Sequence, residues 1–280
     1  MNDKIVGVDI GGTSISAGLI VNGILENKAE IPTEAHKTKA DIIENLFRAI
    51  GEVITPDTRA IGIGVPGNVD AGTGVIYNLA NIPSWKEVPV RSLVEEKFGK
   101  VAAVNNDANC FVLGVKHFGI GKSYSNIVGV TLGTGLGAGI VIDNKLYTGL
   151  EGGAGEFGMI PYKDSNIENY CSGKFFSCVK KLNGADIYKR AVDGDNEAIE
   201  LWNEYGTHLG NAVKVILYAL APEIIVFGGS VSKGFGFFIN SLRNSLSDFV
   251  LPRVSSSLHL GQASDAESAI LGAAALCHGI

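Results

Sequence analysis

The sequence predicts a mixed α/β protein built from two domains that descend from one ancestral fold. The main observation is an internal repeat, because residues 6–23 and residues 128–144 carry the same order of apolar run, glycine-rich turn, Ala-Gly pair and second apolar run. The second observation is that β-branched runs alternate with amphipathic helical stripes along the chain. Such alternation is typical of α/β domains.

Each copy of the repeat predicts a strand, a turn and a returning strand, since β-branched runs bounded by glycines favour hairpins. In the first copy the strands cover residues 5–10 and 17–21 around Gly11-Gly12-Thr13. In the second copy they cover residues 127–132 and 138–142 around Gly133-Thr134-Gly135. Aligning the two copies also matches Asn22 with Asp143.

The remaining periodicity predicts the elements between and after the repeats. An apolar i, i+3, i+4 stripe predicts a helix over residues 41–54 behind an Asp41 cap, and short apolar runs predict strands at residues 60–65, 101–104 and 224–227. A second stripe predicts a helix over residues 209–220, and a last helix follows Asp265. Because the sequence has no low-complexity linker, we expect the chain to cross between the domains in a short segment near residue 108. The small domain then comprises residues 1–108 plus a C-terminal helix at 265–280. The larger domain comprises residues 109–264.

The composition excludes several classes of function. A net charge of −6 and the lack of Lys/Arg clusters argue against a nucleic-acid partner. The longest apolar stretch, residues 212–228, is interrupted by Lys214, Pro222 and Glu223, so it is not expected to span a membrane. We also expect no signal peptide before the first strand, and therefore no membrane partner. The 4 cysteines form no Cys-x-x-Cys pair, which predicts free thiols and a cytoplasmic protein.

The two glycine turns predict phosphate binding. Phosphate oxygens can approach backbone N–H groups that no Cβ shields, and two facing turns in a cleft between the domains could hold both ends of a triphosphate. The first strand ends in Asp9, whereas the second has Thr131 at that position. A carboxylate beside a phosphate favours a cation between them, so Asp9 is the predicted Mg²⁺ residue. The alternative is that Asp9 only supports a tight turn, as Asp often does.

Asn106 and Asp107 follow a predicted strand, at the edge where open α/β sheets bind ligands. Asp107 could be a base that accepts a hydroxyl proton, or it could only cap the helix that follows. Glu156 lies in a glycine-rich loop that could bring its carboxylate close to a polyol ligand or could simply be exposed and flexible. Glu168 could be either a ligand or first-turn charge favoured by the helix dipole. The histidines have no ligand spacing to one another or to the cysteines, which predicts no structural zinc.

From residue 5 to about residue 276 the sequence resembles the ROK family of sugar kinases. The motifs that carry the resemblance occur in the family's order: Asp9-Ile10-Gly11-Gly12-Thr13, Val65-Pro66-Gly67, Asn106-Asp107-Ala108-Asn109, Gly133-Thr134-Gly135-x-Gly137, Gly155-Glu156 and Gly228-Gly229-Ser230. The resemblance implies the actin-like ATPase fold of two RNase H-like domains.

The resemblance also implies an ATP- and Mg²⁺-dependent hexose kinase in which Asp107 takes the proton from the sugar 6-hydroxyl. It implies sugar contacts from Gly67, Asn81, Asn106, Asp107, Glu156 and Glu168. It implies ATP contacts from Gly11, Gly12, Thr13, Gly133, Thr134, Gly135, Gly137, Gly228 and Gly229, and a homodimer.

The sequence departs from the family at Met159, where many members carry a His that serves both zinc and sugar, and it lacks the family's cysteine cluster. Met cannot donate a hydrogen bond to a sugar hydroxyl. The preferred hexose therefore stays open among glucose, N-acetylated hexosamines and fructose. Because some family members are repressors, the alternative function is a non-catalytic sugar sensor, although Asp9, Asp107 and both glycine turns favour turnover.

Overall fold

The computed structural model describes residues 3–263 and 268–278. The chain divides into two compact units, one of residues 1–123, 139–154 and 264–280, and one of residues 124–138 and 155–263. The first unit thus continues past the predicted crossing near residue 108. The functional domain boundaries stay a prediction.

The first half of the chain forms a five-stranded sheet with helices. Its elements are β1 (Lys4–Ile10), β2 (Ser14–Val21), β3 (Ile24–Pro32), α1 (Lys39–Gly51), β4 (Ala60–Val65), β5 (Asn68–Asp70), β6 (Val75–Tyr77), β7 (Glu87–Pro89), α2 (Val90–Phe98), β8 (Val101–Asn106) and α3 (Asp107–His117). The main sheet has the order β3-β2-β1-β4-β8, while β5, β6 and β7 form a separate small sheet. β1 pairs antiparallel with β2 and parallel with β4, and β4 pairs parallel with β8.

The second half repeats this order. Its elements are β9 (Ile127–Leu132), β10 (Leu136–Ile142), β11 (Lys145–Tyr147), β12 (Pro161–Tyr162), β13 (Ser165–Asn166), α4 (Ile167–Cys171), α5 (Gly184–Val192), α6 (Asn196–Leu220), β14 (Ile224–Gly228), α7 (Phe235–Ser245), α8 (Pro252–Ser257), β15 (His259–Gln262) and α9 (Ser268–Ala275). The second sheet has the order β11-β10-β9-β14-β15. β9 pairs parallel with β14, and β14 pairs parallel with β15.

The repeat predicted from the sequence is present in the backbone. Asp9 faces Gly64 across the β1–β4 ladder, and Thr131 faces Gly228 across the β9–β14 ladder. The turns that end the repeats also match, because Asn22 and Asp143 both have a positive φ, of 51° and 50°. Asn and Asp tolerate this left-handed conformation, which two-residue hairpin turns require.

Helix α1 begins earlier than the sequence predicted, and its cap is not Asp41. Thr38 is the N-cap: its side chain accepts a hydrogen bond from the backbone N–H of Asp41, and the carboxylate of Asp41 accepts one from the backbone N–H of Thr38. This reciprocal capping box uses both residues. The helix ends at Gly51, so the buried Val53 lies beyond it.

Helix α9 packs directly against the first sheet through positions without side chains. A Cβ atom on Gly62 would lie 1.8 Å from the carbonyl oxygen of Ala273, and one on Gly272 would lie 1.6 Å from that of Cys110. Glycine is therefore needed for this close approach of two backbones. Residues 265–267 and 279–280 of the predicted terminal helix lie outside the described residues.

In the second unit, β12 and β13 form a short hairpin that is tied to α6 by polar side chains. The hydroxyl of Tyr162 lies 3.0 Å from Nδ1 of His208 and accepts a hydrogen bond from Nδ2 of Asn211 at 3.1 Å. Tyr170 packs edge-on against Tyr162. Among residues 3–263 and 268–278, no helix is long and apolar enough to cross a membrane.

Candidate functional site

The first glycine turn lies at the end of β1, directly after Asp9. The N–H of Gly11 donates to the carbonyl oxygen of Ser14 at 2.9 Å and closes the turn. Gly12 and the exposed Thr13 lie at the tip of the turn. The phosphate contacts of this turn stay a prediction.

Thr33 fixes this turn from the interior. Its side chain is fully buried, and its hydroxyl donates to the carbonyl oxygen of Gly11 at 2.6 Å. Its backbone N–H donates to the carbonyl oxygen of Thr13 at 2.9 Å. Sequence reasoning missed Thr33, because a single Thr after a strand carries no pattern that would reveal these contacts.

Asn106 and Asp107 lie at the junction of β8 and α3. Asn106 is the N-cap: its Oδ1 accepts from the N–H of Ala108 at 2.9 Å, and its Nδ2 donates to the carbonyl oxygen of Gly67 at 3.0 Å. Asp107 is the first helical residue, and its Oδ1 lies 2.8 Å from the same N–H of Ala108. The helix is therefore capped by Asn106, so capping does not require the Asp107 carboxylate.

Asp9 and Asp107 are both destabilised in their charged form. The pKa of Asp9 is raised to about 6, mainly by burial and then by the negative charge of Asp107, while the positive charge of Lys28 partly opposes the rise. Burial also raises the pKa of Asp107, although hydrogen bonds from Ala108 and Asn106 oppose the shift. A raised pKa makes a carboxylate a stronger base near neutral pH.

Asn81 packs against the first glycine turn, Gly11–Thr13. A Cβ atom on Gly12 would lie 3.0 Å from Cβ of Asn81, so glycine leaves room for this side chain. The predicted residues of the first unit are thus linked locally: Asn81 lies at the Gly12 turn, Asn106 lies at Gly67, and Asp9 and Asp107 interact electrostatically.

Asp9 fits a magnesium ion. Mg²⁺ is typically bound through one or two carboxylates and several waters, and a cation would relieve the unfavourable burial and the repulsion between Asp9 and Asp107. Within the described part of the chain, no group of three or more His, Cys, Asp or Glu side chains is arranged to hold a metal ion.

The second glycine turn is bound to the segment after α4. Gly133 donates its N–H to the carbonyl oxygen of Gly135 at 3.0 Å, which closes the turn. The N–H of Gly173 donates to the carbonyl oxygen of Gly133 at 2.8 Å. The hydroxyl of Ser172 donates to the backbone carbonyl oxygen of Thr134 at 3.2 Å. Gly137 accepts from the hydroxyl of Thr131 at 3.3 Å on the strand that follows.

Glu168 belongs to the first turn of α4 and lies beneath this glycine turn. Its Oε2 accepts the backbone N–H of Leu136 at 3.0 Å, and its Oε1 lies 2.5 Å from Nζ of Lys174. The Glu168 side chain is only 14% exposed. Its carboxylate is therefore held in place by a backbone donor and by one cation.

A pocket of about 440 Å³ opens beside the second turn. Its lining comprises Gly133, Thr134, Gly173, Lys174, Phe176, Ser177, Gly184, Ala185, Tyr188, Trp202, Ser230, Val231 and Lys233. Gly228 and Gly229 immediately precede the lining residue Ser230, and Gly229 has a φ of 84°. The sequence did not reveal the aromatic wall of the pocket, because its members come from three separate segments.

Glu156 and Met159 belong to the loop after β11. Both side chains are exposed, Met159 by 52%, and the N–H of Met159 donates to the carbonyl oxygen of Glu156 at 3.1 Å. Glu156 directly precedes one short helical turn, Phe157–Met159, and Met159 is the last residue of that turn. This loop presents one carboxylate and one flexible apolar side chain to solvent.

Curated relatives are similar over most of the chain. The glucokinase of Thermotoga maritima is 30% identical, with 98% of this chain and 96% of that protein covered. The N-acetyl-D-glucosamine kinase of Vibrio cholerae is 29% identical, with 81% and 84% covered. The xylose repressor of Bacillus spizizenii is 26% identical, with 91% of this chain and 71% of that protein covered.

The fold is also that of a solved sugar kinase. A ROK family glucokinase from Streptomyces griseus, in complex with glucose and AMPPNP, superposes with a TM-score of 0.83 at 27% identity, covering 98% of this chain and 99% of that chain. Together with the duplicated strand order, this similarity confirms the predicted actin-like ATPase fold of RNase H-like domains. Residues 5–280 match the ROK family along nearly the whole sequence, and the chain therefore belongs to that family.

Proposed function

We propose that this protein is an ATP-dependent hexose kinase that transfers the γ-phosphate of Mg-ATP to the 6-hydroxyl of a hexose. The observation that carries the proposal is the Asn106-Asp107 junction, where a half-buried carboxylate of raised pKa adjoins a side chain bonded to Gly67. Similarity to glucokinases supports the same reaction class. Glucose and N-acetylhexosamines are the proposed substrates, since relatives named for each are similar over most of the chain.

Asp107 is the proposed general base. It accepts the proton of the sugar 6-hydroxyl as the oxygen attacks the γ-phosphorus, so a nucleophile of alkoxide character forms only at the moment of transfer. Its raised pKa suits this role, because a base is most effective when its pKa approaches the working pH. The carboxylate then has to lose this proton to solvent before the next turnover.

The sugar is held by hydrogen-bonding side chains at fixed positions. In the first unit these are Asn106, the backbone at Gly67 and Asn81. In the second unit Glu156 and Glu168 are the proposed acceptors for sugar hydroxyls. Because Met159 offers no donor, we expect selectivity at C1 and C2 to depend on shape and apolar contact more than on a hydrogen bond.

The nucleotide is proposed to contact both glycine turns. Backbone N–H groups of Gly11, Gly12 and Thr13 contact phosphate in the first unit. In the second unit Gly133, Thr134, Gly135 and Gly137 contact phosphate, and Gly228 and Gly229 lie against the adenosine. Tyr188, a half-buried aromatic residue in the lining of the 440 Å³ pocket, suits contact with the adenine ring.

Asp9 is the proposed magnesium residue, directly or through a water. When bound, Mg²⁺ neutralises charge on the transferred phosphoryl group. The contribution of the chain itself is to hold the Asp9 carboxylate at the end of β1, beside the N–H groups of the Gly11–Thr13 turn. Homodimerisation remains a proposal from the family resemblance.

The decisive experiment is sugar-dependent ADP release from Mg-ATP with glucose, N-acetylglucosamine, N-acetylmannosamine and fructose. Asp107→Asn should bind sugar but lose on the order of 10²- to 10⁴-fold in kcat. Asp186→Asn, a first-turn carboxylate of α5, is the matched control and should turn over normally. Wild-type kcat in Asp107→Asn would exclude its role as base.

The second candidate function is a non-catalytic sugar sensor, which the similarity to a xylose repressor favours. Sugar binding that is detected calorimetrically, without ADP release from any hexose of the panel, would support the sensor. Sugar-dependent ADP release would exclude it.

A further inference from the structure

The carboxylate of Glu168 lies unusually close to a turn that is proposed to bind phosphate. A Cβ atom on Gly135 would lie 2.5 Å from Oε2 of Glu168, and the same oxygen accepts the N–H of Leu136. A phosphate at the Gly135 turn would therefore experience the negative charge of Glu168. Like charges at such a short range oppose binding in a partly buried site.

Lys174 is the cation that offsets this charge. Its Nζ lies 2.5 Å from Oε1 of Glu168, and Lys174 lines the same pocket as Gly133 and Thr134. Lys174 is held at this position at both ends, since its backbone N–H also donates to the hydroxyl of Ser172 at 3.2 Å. An ammonium group has three donors, and the ion pair with Glu168 requires only one.

We infer that Lys174 is a phosphate-binding residue of the nucleotide pocket, held in place by Glu168, and that its ammonium group contacts the phosphate chain of a bound nucleoside di- or triphosphate. The inference rests on the proposed function for the identity of the nucleotide as ATP or ADP. It gives Glu168 a role besides the proposed sugar contact, because its carboxylate binds the ammonium group of Lys174 as well as the N–H of Leu136. Lysine is suited to phosphate as a compact point charge.

Lys233 lines the same pocket and provides the comparison. Its side chain is exposed, whereas Lys174 is 35% exposed and ion-paired. Ordering a free lysine side chain on a ligand costs rotamer entropy, and part of that cost is already met for Lys174. Lys174 should therefore contribute more to phosphate affinity than Lys233.

The test is calorimetric binding of ADP and of adenosine, without sugar, to the wild type, Lys174→Met, Lys174→Arg and Lys233→Met. Lys174→Met should weaken ADP binding by roughly 10-fold or more, as expected for a lost charge-assisted hydrogen bond, and leave adenosine binding within about 2-fold. Lys174→Arg should restore most of the ADP affinity. Lys233→Met should change it less, and the effect of Lys174→Met should shrink at high salt.

Two results would overturn the inference: an unchanged ADP affinity in Lys174→Met, or an equal loss for ADP and adenosine. An equal loss would mean that Lys174 only maintains the pocket by neutralising Glu168. The proposed kinase function fails separately, if the wild type binds ADP but no hexose produces ADP release. A wild type that binds neither nucleotide nor adenosine would overturn both.

Discussion

Asp9 and Asp107 repel each other: burial, and then the negative charge of Asp107, raise the pKa of Asp9 to about 6. The folded chain therefore holds on to a proton that the unfolded chain, with an Asp pKa near 3.8, releases. Between these two pKa values the folded state binds more protons, so the free energy of unfolding decreases as pH rises. Above about pH 6 the unfavourable contribution of charged Asp9 is complete.

We predict that Asp9→Asn stabilises the metal-free protein near neutral pH. Each tenfold change in proton affinity corresponds to about 1.4 kcal/mol, so the gain reaches at most about 3 kcal/mol and vanishes near pH 4. Urea unfolding of both proteins at pH 4, 6 and 7.5 measures it. The same variant should lose kinase activity, and Mg²⁺ should stabilise it less than the wild type.

Asp41→Asn is the control of opposite sign. A hydrogen bond from the Thr38 side chain lowers the pKa of Asp41, so its charged form supports the fold above its unfolded pKa. Removing that charge should destabilise the protein at neutral pH, and this loss should fade as the solution is acidified. An Asp9→Asn protein that is less stable than wild type at pH 7.5 would contradict the account of Asp9.

A second prediction separates the two hydrogen bonds of Asn106. Asn106→Ser keeps a helix-capping oxygen but cannot reach Gly67, so stability should change by only a few tenths of a kcal/mol while KM for the sugar rises. Asn106→Ala should add a loss of about 1 kcal/mol in unfolding free energy. Asn183→Ser makes the same change at the N-cap of α5 and should leave the sugar KM unaltered.

The third prediction concerns the buried hydroxyl behind the first turn. Thr33→Val preserves shape but leaves the carbonyl oxygen of Gly11 without its donor, which should cost about 1–3 kcal/mol of stability and raise KM for ATP. Thr58→Val, at another buried threonine that bonds Thr55, is the matched control. Equal changes of the ATP KM in both variants would show that Thr33 has no specific effect on the turn.

The fourth prediction concerns the β12–β13 hairpin, where Tyr162, His208 and Asn211 form one hydrogen-bonded group. Tyr162→Phe should lower the unfolding free energy by about 1–3 kcal/mol, because it removes the shared partner of two buried or half-buried groups. A zinc chelator should not shift the unfolding midpoint of the wild type. A chelator-induced loss of stability would show that a metal, and not this group, holds the hairpin.

Local sequence patterns predicted the sheets better than they predicted the ends of the helices. The strand over residues 60–65 has the predicted bounds because every residue in it is buried and β-branched or small. Helix α6 begins at Asn196, well before the predicted residue 209, although Ala198, Trp202 and Tyr205 are buried at the i, i+4, i+7 spacing of a helix. That half was therefore predictable from its local periodicity.

The site shows the same limit. The Gly11–Thr13 and Gly133–Gly135 turns were visible in the sequence because glycine after a buried strand is a local signal. Thr33 was not visible, because its partners lie on residues that only folding brings beside it. The pair of Glu168 and Lys174 is close in sequence, but its position beneath the glycine turn depends on a contact with Leu136.

The packing of α9 on β1, β4 and α3 has a consequence for synthesis. The strands that α9 covers leave the ribosome long before Ser268 to Ala275 do, and the intervening residues include the whole second sheet. During translation the surface around Gly62 therefore stays exposed to solvent until α9 has been synthesised. The second unit can fold first, and a chain truncated before α9 should be a substrate for chaperones and proteases.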